Sequence, residues 1–211
     1  MQRWIDRIAN RMRRLAIPSL MKYIVICMGA VFVLDFIFNG LLSGLLAFSR
    51  AAILQGQVWR ILSFIFIPVD NSPIFIIFTL YFYWMIGESL EREWGTARFN
   101  LFYLIGIIGT IIAGLITGYA TNFFLNMSLF FAFAILFPNM ELLLFFILPV
   151  KVKWLGYLNA AYFAFMLIVS SWPARIALLV SLANIALFFW PDVRNQIVNF
   201  RRRQQWRNHF H

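Results

Sequence analysis

The sequence predicts an all-α integral membrane protein whose single main domain crosses the bilayer six times. Hydrophobic residues make up 63% of the 211 residues and charged residues only 12%, whereas soluble domains average about half apolar and a quarter charged. The apolar residues gather in runs of roughly 20, which is the length that crosses a bilayer as a helix. A soluble fold of this size could not bury so much apolar surface, so lipid must solvate much of the chain.

Six apolar segments are long enough to be membrane spans. We place them at residues 23–46, 74–90, 99–120, 122–138, 154–171 and 174–191. Residues 49–68 are also apolar, but Gln55, Gln57 and Arg60 interrupt them. This segment is therefore predicted to enter the membrane only partly, as a loop with a short helix. Residues 139–153 contain Glu141, Pro149, Lys151 and Lys153 and are predicted to lie at the interface.

The cations indicate how the spans are oriented. If the N-terminus is cytoplasmic and the chain crosses six times, all of the 18 Lys and Arg residues except Arg50, Arg60 and Arg175 fall on the cytoplasmic side. This distribution follows the positive-inside rule. The formal charge of +10 is therefore attributed to membrane topology and to attraction for anionic lipid headgroups, and no nucleic-acid partner is expected.

The chain divides into three parts. Residues 1–20 are predicted to form a basic amphipathic helix in the cytoplasmic interface, with a solvated charged leader as the alternative. Residues 21–192 contain the six spans, and residues 193–211 form a basic cytoplasmic tail. The protein is thus expected to be a multi-pass membrane protein, in the cell membrane if the source is bacterial, with both termini in the cytoplasm.

Few side chains could support catalysis or hold a cofactor. The histidines, His209 and His211, lie in the last three residues, and the single cysteine, Cys27, lies in the first span. The sequence contains no phosphate-binding glycine loop, haem motif or cluster of metal ligands. We therefore expect neither a cofactor nor a metal.

One polar stripe stands out in the first span. Asp35, Asn39 and Ser43 recur every four residues, which places them on one face of a helix. A charge at mid-bilayer costs at least about 2.5 kcal/mol on insertion scales, so Asp35 requires an explanation. Two interpretations remain open: a polar groove or client contact formed by Asp35 and Asn39, or an aspartate that is hydrogen-bonded internally or lies close to water.

Five short motifs occur in the order that is found in the rhomboid superfamily of intramembrane proteins. They are Gly56-Gln57-Val58-Trp59-Arg60, Gly87-Glu88-Ser89-Leu90-Glu91, Gly95, Ala132-Phe133-Ala134-Ile135-Leu136-Phe137-Pro138 and Pro149-Val150-Lys151-Val152-Lys153-Trp154-Leu155. The chain therefore resembles this superfamily over about residues 56–155. The resemblance implies a six-helix bundle with a membrane-dipping first loop. Trp59 and Arg60 are expected either to anchor that loop or to let it thin the outer leaflet and admit client helices.

The resemblance also implies where catalytic groups would lie. Active rhomboids are serine proteases with a serine at the start of the fourth span, a histidine base in the sixth, and a His-x-x-x-Asn pair in the second. Counting from the neighbouring motifs places these groups at Phe123, near Ser181, and at Phe75 and Thr79. A serine hydroxyl needs a positioned base to become a nucleophile. The signature catalytic groups are thus predicted to be missing.

Three functions follow as competing hypotheses. We favour a pseudoprotease, similar in logic to derlins and inactive rhomboids, which binds transmembrane segments of client proteins without cutting them. The second hypothesis is an active protease with an atypical site, for which Ser128 is the nearest serine in the fourth span. The third is a transporter or lipid-handling protein that uses Asp35. The expected partners are a bilayer with anionic headgroups and client helices.

Overall fold

The computed structural model describes residues 7–9, 11, 13–69, 72–144 and 148–189. Residues 7–9 and 11 are helical, but the rest of the predicted interfacial helix before residue 13 lies outside the described residues, as does the predicted basic tail. From residue 13 onward, the described chain forms nine α-helices, one 3₁₀ turn and one β-hairpin.

These elements follow one another in the order that the apolar segments predict. They are α1 (Leu20–Ile37), α2 (Leu41–Leu46), α3 (Arg50–Leu54), α4 (Arg60–Ser63), the 3₁₀ turn (Phe64–Phe66), α5 (Pro73–Trp94), α6 (Thr96–Thr117), α7 (Phe123–Leu136), β1 (Glu141–Leu144), β2 (Leu148–Lys151), α8 (Val152–Val169) and α9 (Trp172–Phe189). The fold is an all-α membrane bundle with one small hairpin.

Five of the described helices are long and apolar enough to cross a bilayer, namely α1, α5, α6, α8 and α9. The fourth predicted span forms α7, which has only 14 residues and is therefore about 21 Å long at 1.5 Å per residue. Seven of these residues are buried, including Leu129 and Phe133. Because other helices surround α7, it does not have to match the roughly 30 Å thickness of the hydrocarbon core.

The first predicted span, residues 23–46, is wrong as a single continuous helix. Helix α1 ends at Ile37, and the chain turns through Asn39 and Gly40, whose φ angles are 52° and 85°. Helix α2 then begins at Leu41. The positive φ angles suit glycine and asparagine, which tolerate the left-handed region. Hydropathy alone gives no sign of this break because both sides of it are apolar.

The bundle has two ends because consecutive long helices run in opposite directions. At one end, the Ser19 backbone N–H donates to Glu91 Oε1 (3.0 Å), which joins the start of α1 to the end of α5. At the other end, the Arg50 backbone N–H donates to the Gly118 carbonyl (3.2 Å). We call the end that carries β1, β2 and the turn at Gly95 the hairpin end, and the end that carries α2–α4 the loop end.

Glycines allow two of the helix pairs to approach closely. A Cβ added at Gly87 of α5 would lie 2.3 Å from the Met21 Cβ of α1, and one added at Gly106 of α6 would lie 2.4 Å from Leu125 Cδ1 of α7. Both distances are far below van der Waals contact. Small residues at these positions therefore set the helix spacing, as they commonly do in membranes where packing drives helix association.

The predicted interfacial segment, residues 139–153, contains an antiparallel β-hairpin that the sequence analysis did not predict. Glu141 pairs with Lys151, and Leu142 pairs with Val150. The Val152 backbone N–H donates to the Met140 carbonyl (2.8 Å) and fastens the hairpin to the start of α8. The strands were missed because their apolar residues neither alternate with polar ones nor flank a turn dipeptide such as Asn-Gly.

Candidate functional site

The candidate site lies at the loop end, where the start of α7 meets α9. The Ser181 hydroxyl of α9 donates to the Phe124 carbonyl of α7 at 2.6 Å. Ser181 is buried, with 6% of its surface exposed. The structure therefore brings Ser181 next to the first turn of α7, which begins at Phe123.

A buried asparagine fixes the start of α7 against the first loop. The side-chain amide of Asn122 donates to the Ile65 carbonyl (2.9 Å) and to the Ile67 carbonyl (2.8 Å). Asn122 is only 2% exposed. Because these two carbonyls belong to the 3₁₀ turn and the residue after it, the amide joins α7 to a segment more than 50 residues earlier in the chain. No motif or periodicity in the sequence distinguishes Asn122 from the other asparagines of the apolar segments.

Aromatic rings fill the first turn of α7. The Phe123 ring lies 5.3 Å from the Phe124 ring and 6.1 Å from the Tyr162 ring of α8, measured between centroids. The Phe124 ring in turn lies 6.3 Å from the Phe163 ring. These separations are within the range of favourable aromatic contacts. The first turn of α7 therefore packs against α8 through rings and offers no hydroxyl or thiol at Phe123.

Phe75 and Thr79 lie in the first two turns of α5, also at the loop end. Four residues separate them, so they share one face of the helix. Phe75 is exposed and Thr79 is partly buried. Phe75, Thr79 and Phe123 thus lie toward the loop end, whereas Ser181 lies near the middle of α9 and reaches the first turn of α7 through its hydrogen bond to Phe124.

Ser128, the alternative nucleophile, is engaged within its own helix. Its hydroxyl donates to the Leu125 carbonyl at 2.7 Å, and the residue is completely buried. A serine that donates to the preceding turn is a common arrangement in membrane helices. In this geometry the Ser128 proton is directed to a carbonyl oxygen, which is not a general base.

The first loop is built around the end of α2. The last carbonyls of a helix have no partner within the helix, and here the four consecutive carbonyls of residues 44–47 are all bonded by three side chains. Arg60 donates to the first and last of them (2.8 and 2.7 Å), Trp59 to the second (3.2 Å) and Ser63 to the third (2.8 Å). The loop is therefore a cap on α2.

Arg60 is the centre of this cap. Its Nε donates to Gln57 Oε1 at 2.6 Å, and the residue is only 8% exposed. A cation at a helix C-terminus is also favoured by the helix dipole. The three hydrogen bonds and the dipole together offset the cost of burying an arginine between apolar neighbours. Trp59, by contrast, remains half exposed and is free to contact lipid.

The family model of the Rhomboid domain matches residues 55–189. The chain belongs to the rhomboid family. No curated protein matches it at a significant level. The match begins just after α3 and runs to the end of α9, so this rhomboid-family chain is an integral multi-pass membrane protein. The candidate site and the three side chains that cap α2 lie inside the matched region, whereas α2 itself precedes it.

The remaining motif residues of this rhomboid-family chain stabilise the hairpin end. Glu91 Oε1 accepts a second hydrogen bond from the Thr96 hydroxyl (2.9 Å). Gly95 has a φ angle of 79°, which allows the sharp turn from α5 into α6. The Pro138 carbonyl accepts from the Lys153 backbone N–H (3.1 Å). These contacts are structural, and they lie far from the candidate site.

Asp35 forms its hydrogen bonds within the first two helices. The Ser43 backbone N–H donates to Asp35 Oδ1 at 2.9 Å, and the Ser43 hydroxyl donates to Oδ2. Asn39 lies in the exposed turn between the two bonded residues. The carboxylate therefore closes the break between α1 and α2. No group of three or more His, Cys, Asp or Glu side chains within the described ranges is placed to hold a metal.

Another buried asparagine lies within α7. Asn126 lies one turn after Asn122 and is 1% exposed. Neither its side-chain oxygen nor its nitrogen has a hydrogen-bond partner in the part of the chain that the structure describes. Asn126 is thus a buried polar group with an uncompensated desolvation cost.

Proposed function

We propose that this rhomboid-family membrane protein is a pseudoprotease, which binds transmembrane segments of other proteins and does not cleave them. The observation that carries the proposal is the contact between α7 and α9. Where the family places a nucleophile and its base, the chain has Phe123 and Ser181, and the Ser181 hydroxyl donates to a carbonyl 2.6 Å away. Peptide hydrolysis needs a group that accepts the nucleophile's proton, and neither residue supplies one.

Retention of the surrounding framework supports a binding role. The cap that Arg60 forms on α2 and the anchor that Asn122 forms on α7 both keep the loop end in a fixed shape. Beside them, α5 exposes Ile74, Ile77 and Tyr81. Transmembrane helices associate through packing and a few polar contacts, so the exposed face of α5 near the candidate site is the surface that we assign to a client helix.

We also propose that the hairpin end faces the cytoplasm, together with both termini. In this orientation three cations lie on the outer side, at the loop end, where the positive-inside rule disfavours them. Each of the three has a structural reason to be there because it caps a helix. Arg60 caps α2, Arg50 donates to the Leu115 carbonyl of α6 (3.2 Å), and Arg175 donates to the Ile168 carbonyl of α8 (2.7 Å). Structural demands thus account for the exceptions to the positive-inside rule. A fluorescent reporter that matures only in the cytoplasm should be bright at either terminus; a dark C-terminal fusion with normal expression would contradict this orientation.

The two alternative functions receive less support. An atypical protease would have to use Ser128, whose proton is directed to the Leu125 carbonyl of the same helix. A transporter would have to use Asp35, whose two oxygens both accept from Ser43. Each residue is already engaged in a local hydrogen bond that accounts for its presence in an apolar segment.

The absence of proteolysis can be tested with the purified full-length chain in liposomes. We expect no labelling by a fluorophosphonate serine probe and no cleavage of single-span test substrates, under conditions in which a rhomboid protease with an intact dyad is labelled and active. Labelling or cleavage that disappears in Ser128→Ala would overturn the proposal.

Client binding can be tested by photocrosslinking in native membranes. A photoreactive phenylalanine derivative would replace Tyr81 of α5 or, as a control of equal exposure in the loop-end half of α8, Phe165 (55% and 57% exposed). We expect the Tyr81 position to form more protein adducts than the Phe165 position. The captured peptides should map to transmembrane segments. Adducts to lipid alone, or equal protein capture at both positions, would contradict the assignment of α5 as the client surface.

A further inference from the structure

A cleft at the hairpin end has no part in the proposed function. It lies between β2 and the first turn of α8 and has a volume of about 550 Å³. Six residues line it: Glu141, Pro149, Val150, Lys151, Lys153 and Trp154. The cleft is at the opposite end of the bundle from the candidate site, so any role that it has is independent of client binding.

The cleft carries a net positive charge. Two of its lining residues, Lys151 and Lys153, are cationic, and one, Glu141, is anionic. No ion pair or hydrogen bond links either ammonium group to another described residue; the Lys153 Nζ lies 5.7 Å from the centre of the Trp154 ring. The positive end of the α8 dipole adds to the local potential. The cleft therefore offers two cations to an anionic group.

The depth of the cleft in the membrane identifies its occupant. Helix α8 is one of the long apolar helices of this membrane protein, so its first turn lies at the level of the headgroups. Trp154 and Tyr157 are 61% and 65% exposed, with ring centres 6.0 Å apart. Exposed Trp and Tyr side chains of this kind are typical of the membrane–water interface. This depth favours a phospholipid headgroup as the ligand of the cleft.

We infer that the cleft binds the headgroup of an anionic phospholipid, with the two ammonium groups of Lys151 and Lys153 on the phosphate and the Trp154 ring beside the glycerol region. Ammonium groups form strong charge-assisted hydrogen bonds to phosphate oxygens. Basic side chains at a membrane surface also favour anionic over zwitterionic lipids. The selectivity of the cleft for anionic lipid is thus expected to come from the charge of the two lysines. The start of α8 sets the depth in the membrane at which the headgroup binds.

The binding site can be tested by titrating the purified full-length chain in neutral detergent with phosphatidylglycerol or phosphatidylcholine and counting bound lipids by native mass spectrometry. The wild type should prefer phosphatidylglycerol, and Lys151→Gln/Lys153→Gln should weaken its binding about thirtyfold, or roughly fivefold for each lysine. The control Lys22→Gln/Arg92→Gln removes two other cations from the hairpin end and should change binding much less.

The carboxylate in the cleft gives a second test of opposite sign. Glu141→Gln should tighten phosphatidylglycerol binding because it removes a negative charge beside the phosphate. The control Glu88→Gln changes a carboxylate outside the cleft, which pairs with Arg92 at 3.5 Å. Equal effects of the cleft and control variants would overturn the inference in favour of diffuse attraction. Displacement of the lipid by millimolar inorganic phosphate would overturn it in favour of a soluble-anion site.

Discussion

Replacing Asn122 and replacing Asn126 should change the stability of the fold in opposite directions. The two residues form a matched pair for this comparison. They are the same residue type and almost equally buried, at 2% and 1% exposed. Asn122 caps the start of α7, and Asn126 lies one turn later in the helix. The Asn122 amide donates two hydrogen bonds, whereas Asn126 has none to any described residue. Leucine has the same branched shape and the same number of side-chain heavy atoms as asparagine, and it suits an apolar helix. Replacing each asparagine with leucine therefore isolates the value of the hydrogen bonds.

The magnitudes follow from counting the polar groups that each change leaves unpaired. Asn122→Leu leaves the Ile65 and Ile67 carbonyls without their amide partner, and a buried unpaired polar group costs about 1–3 kcal/mol. The expected loss for two such groups is about 2–6 kcal/mol. Asn126→Leu removes a buried amide that has no described partner and should stabilise the fold by about 1–3 kcal/mol. For a chain of this size, 1 kcal/mol corresponds to roughly 2–4 °C in the unfolding temperature.

Thermal unfolding of the purified full-length variants in one detergent would measure both effects. We expect Asn122→Leu to lower Tm by about 5–15 °C and Asn126→Leu to raise it by a few degrees. The double variant should show nearly the sum of the two shifts unless the neighbouring turns couple. If Asn126→Leu lowers Tm as much as Asn122→Leu does, the reasoning is refuted, because Asn126 would then have a stabilising partner such as an ordered water.

Three further predictions concern the framework. Arg60→Leu should destabilise the protein to SDS unfolding by about 2–4 kcal/mol, since two charge-assisted bonds to α2 carbonyls are lost. Arg60→Lys should restore only part of this stability because an ammonium group cannot reproduce the guanidinium fork. Full restoration by lysine would contradict the cap. Gly87→Ala should destabilise the protein by about 1–3 kcal/mol through overpacking against α1. Gly44→Ala is the control because nothing lies within 4 Å of the added Cβ, and it should be neutral or stabilising in the same assay. Ser181→Ala should cost about 1 kcal/mol for the lost hydrogen bond and leave client crosslinking unchanged; a loss of crosslinking without unfolding would give Ser181 a direct role.

The sequence by itself determined the class of the protein. Apolar runs of bilayer length predict spanning helices because the bilayer core offers no water to the backbone, and the all-α membrane bundle is confirmed. The ordered motifs around Trp59, Gly87 and Pro149 indicated the rhomboid family, which the match over residues 55–189 confirms. The sequence also shows that Phe123 and Ser181 occupy the positions predicted for the nucleophile and its base. The proposal of a protein that does not cleave its clients therefore depends first on the sequence.

Only the tertiary structure decided what the polar side chains contact. Local periodicity places Arg60 in a loop but does not reveal that it bonds carbonyls 13 and 16 residues earlier. It also does not show that Asn122 reaches a segment 55 to 57 residues away, or that Asp35 bonds Ser43 across a break in the first predicted span. The hairpin from Glu141 to Lys151 was hidden for a similar reason, since its strands pair with each other inside an apolar run. Hydropathy reports how each residue is solvated, whereas a hydrogen bond depends on which distant group the fold brings within about 3 Å.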